Sequence, residues 1–430
     1  MIRYLVAAFA LTFGSASAVS AQSSRFEPTP TPVKVVITDN MPKAASTPRP
    51  RIVAAPTPIV VGSETLPARD VDKITVPASS SPATPPPAVE YRSLNFSQIK
   101  RKLAESKRQM QGRPLNIALV IGDPNTELVR VAFHDWKTGE LDYAVMTKEL
   151  FLSTKAEKRI VSQNGRTFTA RTIRGNGVNT PITLIDDNGV AVLPLMVQYP
   201  VIRDGKFIET AYYMSTHPGL VTPEVVNAGK FYVRNIIDLA REKLEERGIR
   251  IQPKVADIAE RLSAVEHVDH LRFRTEFHPV IYNDIYTLFA LNEGQTYRYS
   301  VSSAGAGGMV QMIPSTYRMV RSWHPNVPLD PDFVEGMRDH VNAAQAMLLY
   351  MQRTWNDLMA SPTVANAYNS GLATQEQLMA AGYNSNPARL AGYINRGGAG
   401  WTNLIPRETK VYLQVYDSIE KYVPMSPRSK

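Results

Sequence analysis

The spacing of apolar residues changes along the chain, and each change predicts a different element. A cap at Asn95 or Ser97 and apolar residues at helical spacing predict a first helix that ends at Gly112. Strand-like runs follow, and they span residues 115–121, 128–133 and 141–146. Turn signals come after them at Asn164-Gly165, Asp187-Asn188-Gly189 and Asp204-Gly205. Residues 93–220 are therefore predicted to form a hairpin-rich antiparallel β domain, whose role is open.

Helical spacing returns after this region. Thr222 supplies an N-cap and Pro223 a first-turn proline, and the helix that they start is expected to end at Gly248. A second helix is expected to begin at Pro253, after which the helical pattern continues with interruptions. Residues 221–278 are therefore predicted to be a helical connector.

The last third of the chain is also dominated by helical patterns. Apolar stripes at helical spacing occur in residues 281–292 and 337–351, and the second stripe is rich in methionine, which is usual for a core. Residues 279–425 are predicted to form a mainly α-helical C-terminal domain. The predicted fold class is accordingly α+β, with several domains.

The first residues indicate export. Residues 1–21 combine Arg3, a short apolar run over residues 5–13 and small residues up to Ala21, which is the pattern of a secretory signal peptide. The apolar run is too short to span a membrane, and no later run is long enough, so no integral membrane segment is expected after cleavage. Residues 22–92 are rich in proline and are predicted to be a disordered spacer. The expected location is the periplasm or the cell exterior.

Composition narrows the chemistry. The 48 Lys and Arg residues outnumber the 39 Asp and Glu residues, and the formal net charge of +9 favours polyanionic partners. No dense basic run is interleaved with aromatic residues, so nucleic acid is not an expected partner. The absence of cysteine excludes disulfides, thiolate zinc sites, cysteine nucleophiles and a lipid-bearing cysteine.

Three histidines, His267, His270 and His278, raise the question of a metal site. No carboxylate at a suitable spacing completes a coordination set with them, so surface or interface roles are favoured. Neither a metal nor another cofactor is expected.

Candidate chemistry is found at Glu293, which follows an apolar helical stripe and precedes Gly294. A part-buried carboxyl at that place would have a raised pKa and could donate a proton near neutral pH. Small residues over 302–308 then lead into Met309 and Gln311. A loop of this kind lets backbone approach a ligand closely, so it is predicted to form a groove wall.

These residues resemble the soluble lytic transglycosylase family, whose goose-type-lysozyme-like domain degrades peptidoglycan. The resemblance covers residues 282–423 and consists of ordered motifs. The motifs are Glu293 with Ser302, Gly308-Met309-Val310-Gln311, Ala367-Tyr368-Asn369, and Glu408-Thr409-Lys410-Val411-Tyr412. Two positions depart from the family pattern: Gly294 stands where a serine usually follows the glutamate, and Met309-Val310 replaces the usual Leu-Met.

The resemblance implies both an activity and a site. It implies cleavage of the MurNAc–GlcNAc β-1,4 bond in peptidoglycan glycan strands without water, which leaves 1,6-anhydroMurNAc ends. Glu293 would be the acid and then the base. The residues implied to lie in or beside the groove are Ser302, Gln311, Tyr368, Asn369 and Tyr412. The chain order agrees with a single-carboxylate mechanism, because no second acid follows Glu293 before Asp330.

Two other interpretations remain open at this point. A hydrolytic muramidase would use a second carboxylate to position water, and that carboxylate can be distant in sequence. A non-catalytic cell-wall-binding scaffold of an envelope machine could keep the same fold without the chemistry. Only the catalytic interpretations require a carboxyl at the site.

Overall fold

A computed structural model describes residues 92–113, 115, 127–155, 157–203, 205–302 and 304–429. The predicted signal peptide, the proline-rich spacer up to residue 91 and all but the first residue of the strand expected over residues 115–121 lie outside this part of the chain. The described residues form an α+β structure with antiparallel sheets, which confirms the coarse fold class.

The first helix, α1 (Phe96–Gly112), begins and ends where its pattern predicts. Asn95 is the N-cap, and its side chain accepts a hydrogen bond from the Gln98 backbone N–H at 2.9 Å. The Gln98 side chain in turn accepts from the Asn95 backbone N–H at 3.0 Å, which completes a capping box. The apolar face of the helix is buried.

The strands make two antiparallel sheets. They are β1 (Leu128–His134), β2 (Leu141–Thr147), β3 (Lys158–Val161), β4 (Thr167–Thr172), β5 (Ile182–Asp186), β6 (Leu193–Arg203) and β7 (Lys206–Tyr213), with a short helix α2 (Lys148–Leu152) after β2. One sheet has the order β2-β1-β6-β7 and the other β3-β4-β5. In the first, Val131 lies opposite both Ala144 and Val197. The turn predicted at residues 164–165 connects the paired strands β3 and β4, as a hairpin requires, and Gly205 lies between the paired strands β6 and β7.

Helices follow the strands. They are α3 (Pro223–Glu245), α4 (Pro253–Val265), α5 (His270–Thr275), α6 (His278–Leu291), α7 (Pro314–Trp323), α8 (Phe333–Arg338), α9 (His340–Ala360), α10 (Pro362–Asn369), α11 (Gln375–Asn384), α12 (Leu390–Gly397) and α13 (Arg407–Tyr422). Thr222 caps α3 and Pro223 occupies its first turn, as predicted. Within the described residues, no helix combines the length and apolar character that crossing a membrane requires.

The crossing of α3 and α6 depends on a glycine. A Cβ atom at Gly229 would lie 1.8 Å from the carbonyl oxygen of Tyr286. Because such a separation is far inside van der Waals contact, only glycine lets the two backbones approach this closely. This crossing places α6, and the loop that follows it, against the predicted connector.

The β strands and the helices are joined through the loop that follows α6. The Met214 backbone N–H donates to Asn292 Oδ1 at 2.8 Å, and Asn292 Nδ2 donates to the Met214 carbonyl, also at 2.8 Å. Nearby, Arg298 forms an ion pair with Glu209 of β7 at 3.2 Å. The end of β7 therefore holds the chain that leads into the glycine-rich loop.

The C-terminal residues clamp α3 and α4 together. Arg428 is almost fully buried, and its guanidinium contacts Asp238 of α3 at 2.6 Å. It also contacts two carboxylates of α4, Asp257 at 2.9 Å and Glu260 at 2.6 Å. A buried charge of this kind requires such partners, because an unpaired ion away from water is strongly disfavoured.

Candidate active site

A cleft of about 100 Å³ opens between the helices. It is built from the end of α4, the loop before α7, the first turn of α7, the middle of α9 and the end of α11. The residues that line it are Glu266, Ala306, Gln311, Met312, Ile313, Thr316, Tyr350, Tyr383, Asn384 and Ser385. Glu266 is the one carboxylate in this described lining.

Glu266 combines burial with a single hydrogen bond. It caps the C-terminus of α4 and is only 7% exposed. Tyr412 of α13 donates a hydrogen bond to its Oε1 atom at 2.5 Å. Burial raises the pKa of Glu266 to about 8, and the Tyr412 bond only partly opposes this shift. The carboxyl is therefore protonated at neutral pH, as a general acid must be at the start of a reaction.

The tyrosines around the carboxyl remain neutral donors. Burial raises the pKa of both Tyr412 and Tyr383 well above the usual value of a phenol. Tyr383 donates to the carbonyl of Val310 at 2.7 Å. Next to Tyr383 in the chain, Asn384 accepts a hydrogen bond at Oδ1 from Thr409 at 2.9 Å, which fixes the orientation of that amide. The motif over residues 408–412 thus contributes two contacts to the site.

Gln311 lies in the cleft wall in an unusual backbone conformation. Within the described part of the chain, it and Tyr297 are the two residues other than glycine with positive φ, at 47° and 59°. The Gln311 side-chain Nε2 donates to the Gly308 carbonyl at 2.8 Å. Gly308 itself has φ of 69°, and a Cβ atom there would lie 2.4 Å from the Met337 carbonyl oxygen. The predicted groove wall is therefore a tightly packed loop with Gln311 facing the cleft.

Ser302 shapes this loop and does not line the cleft. It is buried, and its Oγ accepts a hydrogen bond from the Ala306 backbone N–H at 3.0 Å. Its own backbone N–H donates to the Ala306 carbonyl at 2.9 Å. Ser302 therefore holds the turn that places Ala306 in the cleft wall.

Glu293 lies elsewhere. Helix α6 ends at Leu291, and the Glu293 side chain projects beyond its apolar face, where it is 58% exposed and forms an ion pair with Lys100 of α1. The expectation of a part-buried carboxyl at this position is therefore contradicted. Glu293 is also absent from the residues that line the cleft. The apolar stripe that suggested burial stops before the glutamate.

Tyr368 and Asn369 are also outside the cleft. Both are exposed at the end of α10, and the Tyr368 ring packs edge-on against Trp355 with 5.1 Å between ring centroids. The cleft instead contains Tyr383-Asn384-Ser385. The same three residue types, Tyr-Asn-Ser, occur at both places in the sequence. The structure brings together Gln311 and Tyr412 from the predicted set and adds the second Tyr-Asn-Ser triplet.

Glu266 is the main residue that sequence reasoning missed. It follows Ala264-Val265 at the end of an amphipathic helix, which is the same signal that singled out Glu293. Glu266 belongs to the segment predicted as a connector, whereas Gln311 and Tyr412 belong to the segment predicted as catalytic. The cleft therefore draws on both segments.

Comparisons of the chain with protein-family models, with curated proteins and with solved structures found no match.

Proposed function

We propose that this protein is a peptidoglycan lytic transglycosylase in which Glu266 is first the acid and then the base. The observation that carries the proposal is a single buried carboxyl with a raised pKa, hydrogen-bonded by Tyr412, in a cleft lined by amides and phenols. The resemblance noted in the sequence supports the activity through Gln311, which lines this cleft, and through Thr409 and Tyr412, which contact its lining, while it places the acid at Glu293.

The chemistry needs one group that can give and then take a proton. Glu266 protonates the glycosidic oxygen while the bond from that oxygen to C1 of MurNAc breaks. The 2-acetamido oxygen of the same sugar stabilises the positive charge at C1. The Glu266 carboxylate then removes the proton of the C6 hydroxyl, whose oxygen bonds to C1. The product is a 1,6-anhydro sugar, no water is consumed, and Glu266 ends protonated as it began.

The cleft supplies partners for such a substrate. Gln311 and Asn384 carry amide groups that can bind acetamido or hydroxyl groups, and Tyr383 presents a phenol beside them. A hydrolytic muramidase would instead use a second carboxylate to place water. Glu266 is the one carboxylate among the described residues that line the cleft. The single-carboxylate route therefore fits this lining better.

The proposal extends to the setting of the enzyme. The helical part is proposed to be a lysozyme-like catalytic domain, preceded by the β domain, and the sacculus is the proposed partner. The signal-peptide pattern supports a periplasmic or extracellular location. The net charge of +9 favours association with a polyanionic wall polymer.

The test is digestion of purified sacculi by the wild type and two matched variants, Glu266→Gln and Glu293→Gln. Each variant removes one carboxyl with little change in shape. We expect Glu266→Gln to lower the cleavage rate at least about 100-fold, because general acid–base catalysis contributes on that order. Glu293→Gln should stay within about twofold of the wild type, since its carboxylate is exposed and paired with Lys100.

Mass spectrometry of the released muropeptides separates the alternatives. Anhydro ends, lighter than hydrolysed ends by one water, support the transglycosylase. Hydrolysed ends would show a muramidase. Wall lysis by neither the wild type nor the variants would favour a scaffold, and loss of activity in Glu293→Gln alone would return the catalytic role to Glu293.

A further inference from the structure

Three consecutive carbonyl groups of the cleft loop each accept a hydrogen bond from a side chain. The Gly308 carbonyl accepts from Gln311 Nε2 at 2.8 Å, and the Val310 carbonyl accepts from Tyr383 Oη at 2.7 Å. Between them, the Met309 carbonyl lies 2.9 Å from His267 Nε2. A carbonyl can only accept, so His267 Nε2 carries the hydrogen. The three residues that directly precede Gln311 are therefore each held by a side-chain hydrogen bond.

His267 is itself rigidly placed. Its ring stacks on Tyr297 with 3.3 Å between the ring centroids and 1° between the planes. The edge of the ring meets Phe289 at 6.3 Å. Burial, with a smaller contribution from nearby His340, lowers the pKa of His267 to about 3, so the ring stays neutral and keeps its single N–H. A neutral, stacked ring is a stiff donor.

The position of His267 in the chain links this donor to the candidate acid. His267 directly follows Glu266, so one peptide unit connects the candidate acid to the ring that holds Met309. Gln311, two residues after Met309, has a strained positive φ, and such a conformation persists only when its surroundings over-determine it. The His267 hydrogen bond is one of the contacts that do so.

We infer that His267 is a positioning residue, which sets the Glu266 carboxyl and Gln311 at the separation that the reaction needs by holding the Met309 carbonyl. This inference rests on the proposed function. It assigns His267 no contact with substrate. A displacement of about 1 Å in a catalytic constellation lowers rates about 100-fold, so the effect should be seen in kcat.

The test compares two variants of His267, one that keeps the flat ring and one that keeps the hydrogen-bond donor. His267→Phe keeps a flat ring for stacking on Tyr297 and removes the N–H. His267→Gln removes the ring and keeps a donor at a similar reach. His278→Phe is the control, because His278 is buried, stacks on Phe273 with 4.0 Å between ring centroids, and bonds the Phe273 carbonyl at 2.8 Å and Ser418 Oγ at 2.6 Å, all outside the cleft lining.

The measurements are kcat and KM on uncrosslinked glycan strands, and hydrogen exchange of the backbone amides of residues 305–312. We expect His267→Phe to lower kcat about 10- to 100-fold, with KM within about threefold, and to speed exchange in this loop. His267→Gln should keep kcat within about fivefold of the wild type. His278→Phe should leave kcat and the exchange of this loop within about twofold of the wild type.

Two results would overturn the inference while the proposed function stands. One is a folded His267→Phe variant with wild-type kcat and unchanged loop exchange. The other is equal loss in His267→Phe and His278→Phe, which would show a general effect of removing a buried hydrogen bond. Failure of the wild type to cleave glycan strands is a different outcome, because it removes the proposed function and the catalytic role of His267 together.

Discussion

At the scale of single residues, the surroundings of a glutamate decide its chemistry. Glu266 and Glu293 both follow the apolar face of a helix, yet one is 7% exposed and the other has a side chain that is 58% exposed. Burial, together with the negative end of the α4 dipole, disfavours the charged form of Glu266. Glu293 instead lies beside Lys100 in contact with water. Glu266 is thus placed to hold a proton at neutral pH.

The raised pKa of Glu266 predicts a pH-dependent stability. The folded pKa of about 8 lies above the value of 4.5 for an ordinary glutamate. Between these values the folded protein binds a proton that the unfolded chain has released, so the free energy of unfolding falls as pH rises, by up to about 1.4 kcal/mol per pH unit. Glu266→Gln removes this contribution. The free energy of unfolding of Glu266→Gln, relative to that of the wild type, should therefore increase from pH 4.5 to 8.

Denaturant unfolding across that pH range measures the effect. If Glu266→Gln and the wild type lose stability in parallel as pH rises, the carboxyl of Glu266 is not held in its neutral form.

At the scale of elements, the cleft is made where helices end. Glu266 caps the end of α4, and Tyr383 and Asn384 close α11. Helix α4 packs against α9 and α13, which contribute Tyr350 and Tyr412 to the same region. The position of each side chain therefore depends on how closely the helices approach one another.

The α3–α6 crossing gives a direct test of this dependence. Gly229→Ala places a Cβ atom 1.8 Å from the Tyr286 carbonyl oxygen, so the helices must separate. We expect a loss of about 3 kcal/mol in the free energy of unfolding, as for an overpacked core. Denaturant unfolding measures it. Gly112→Ala is the control, because a Cβ atom there would meet nothing within 4 Å, and it should change stability by less than about 0.5 kcal/mol. Equal stability of the two variants would contradict the close crossing.

At the scale of the whole molecule, distant parts of the chain hold the site together. Asn292 ties the loop after α6 to Met214 at the end of the β strands. Arg428, near the C-terminal end of the printed sequence, forms ion pairs with both α3 and α4, and Glu266 caps the end of α4. These contacts join residues that are far apart in sequence, so the site is a property of the folded chain.

Arg428→Met tests the C-terminal clamp. The change removes the buried cation from Asp257 and leaves Glu260 with Arg234 alone, at 3.4 Å, and we expect a loss of about 3 kcal/mol in the free energy of unfolding. Thermal and denaturant unfolding measure it. Arg353→Met is the control, because the Arg353–Asp357 ion pair is exposed on both sides and should contribute less than about 1 kcal/mol. A loss no larger than that of the control would show that the clamp is not needed.

Local pattern alone predicted many of the elements. The α1 cap at Asn95, the Thr222-Pro223 start of α3 and the hairpin turn at Asn164-Gly165 are confirmed, because capping and turn formation depend on neighbouring residues. The groove-wall loop with Gln311 was also recognisable, since close approach to the Met337 backbone requires a glycine at residue 308. Caps and turns depend on residues that are close together in the chain, so they can be predicted from the sequence.

The choice between equivalent candidates was made only by the tertiary structure. Glu266 and Glu293 both follow an apolar helical stripe, and Tyr-Asn-Ser occurs twice, yet the sequence motifs selected Glu293 and Tyr368-Asn369, which lie outside the cleft. Packing of α4 against α9 and α13 buries Glu266 beside Tyr412, while Glu293 projects from the end of α6 toward Lys100. Burial and the pKa that follows from it are set by contacts between distant segments, which is why Glu266 could be recognised as the candidate acid only in the folded chain.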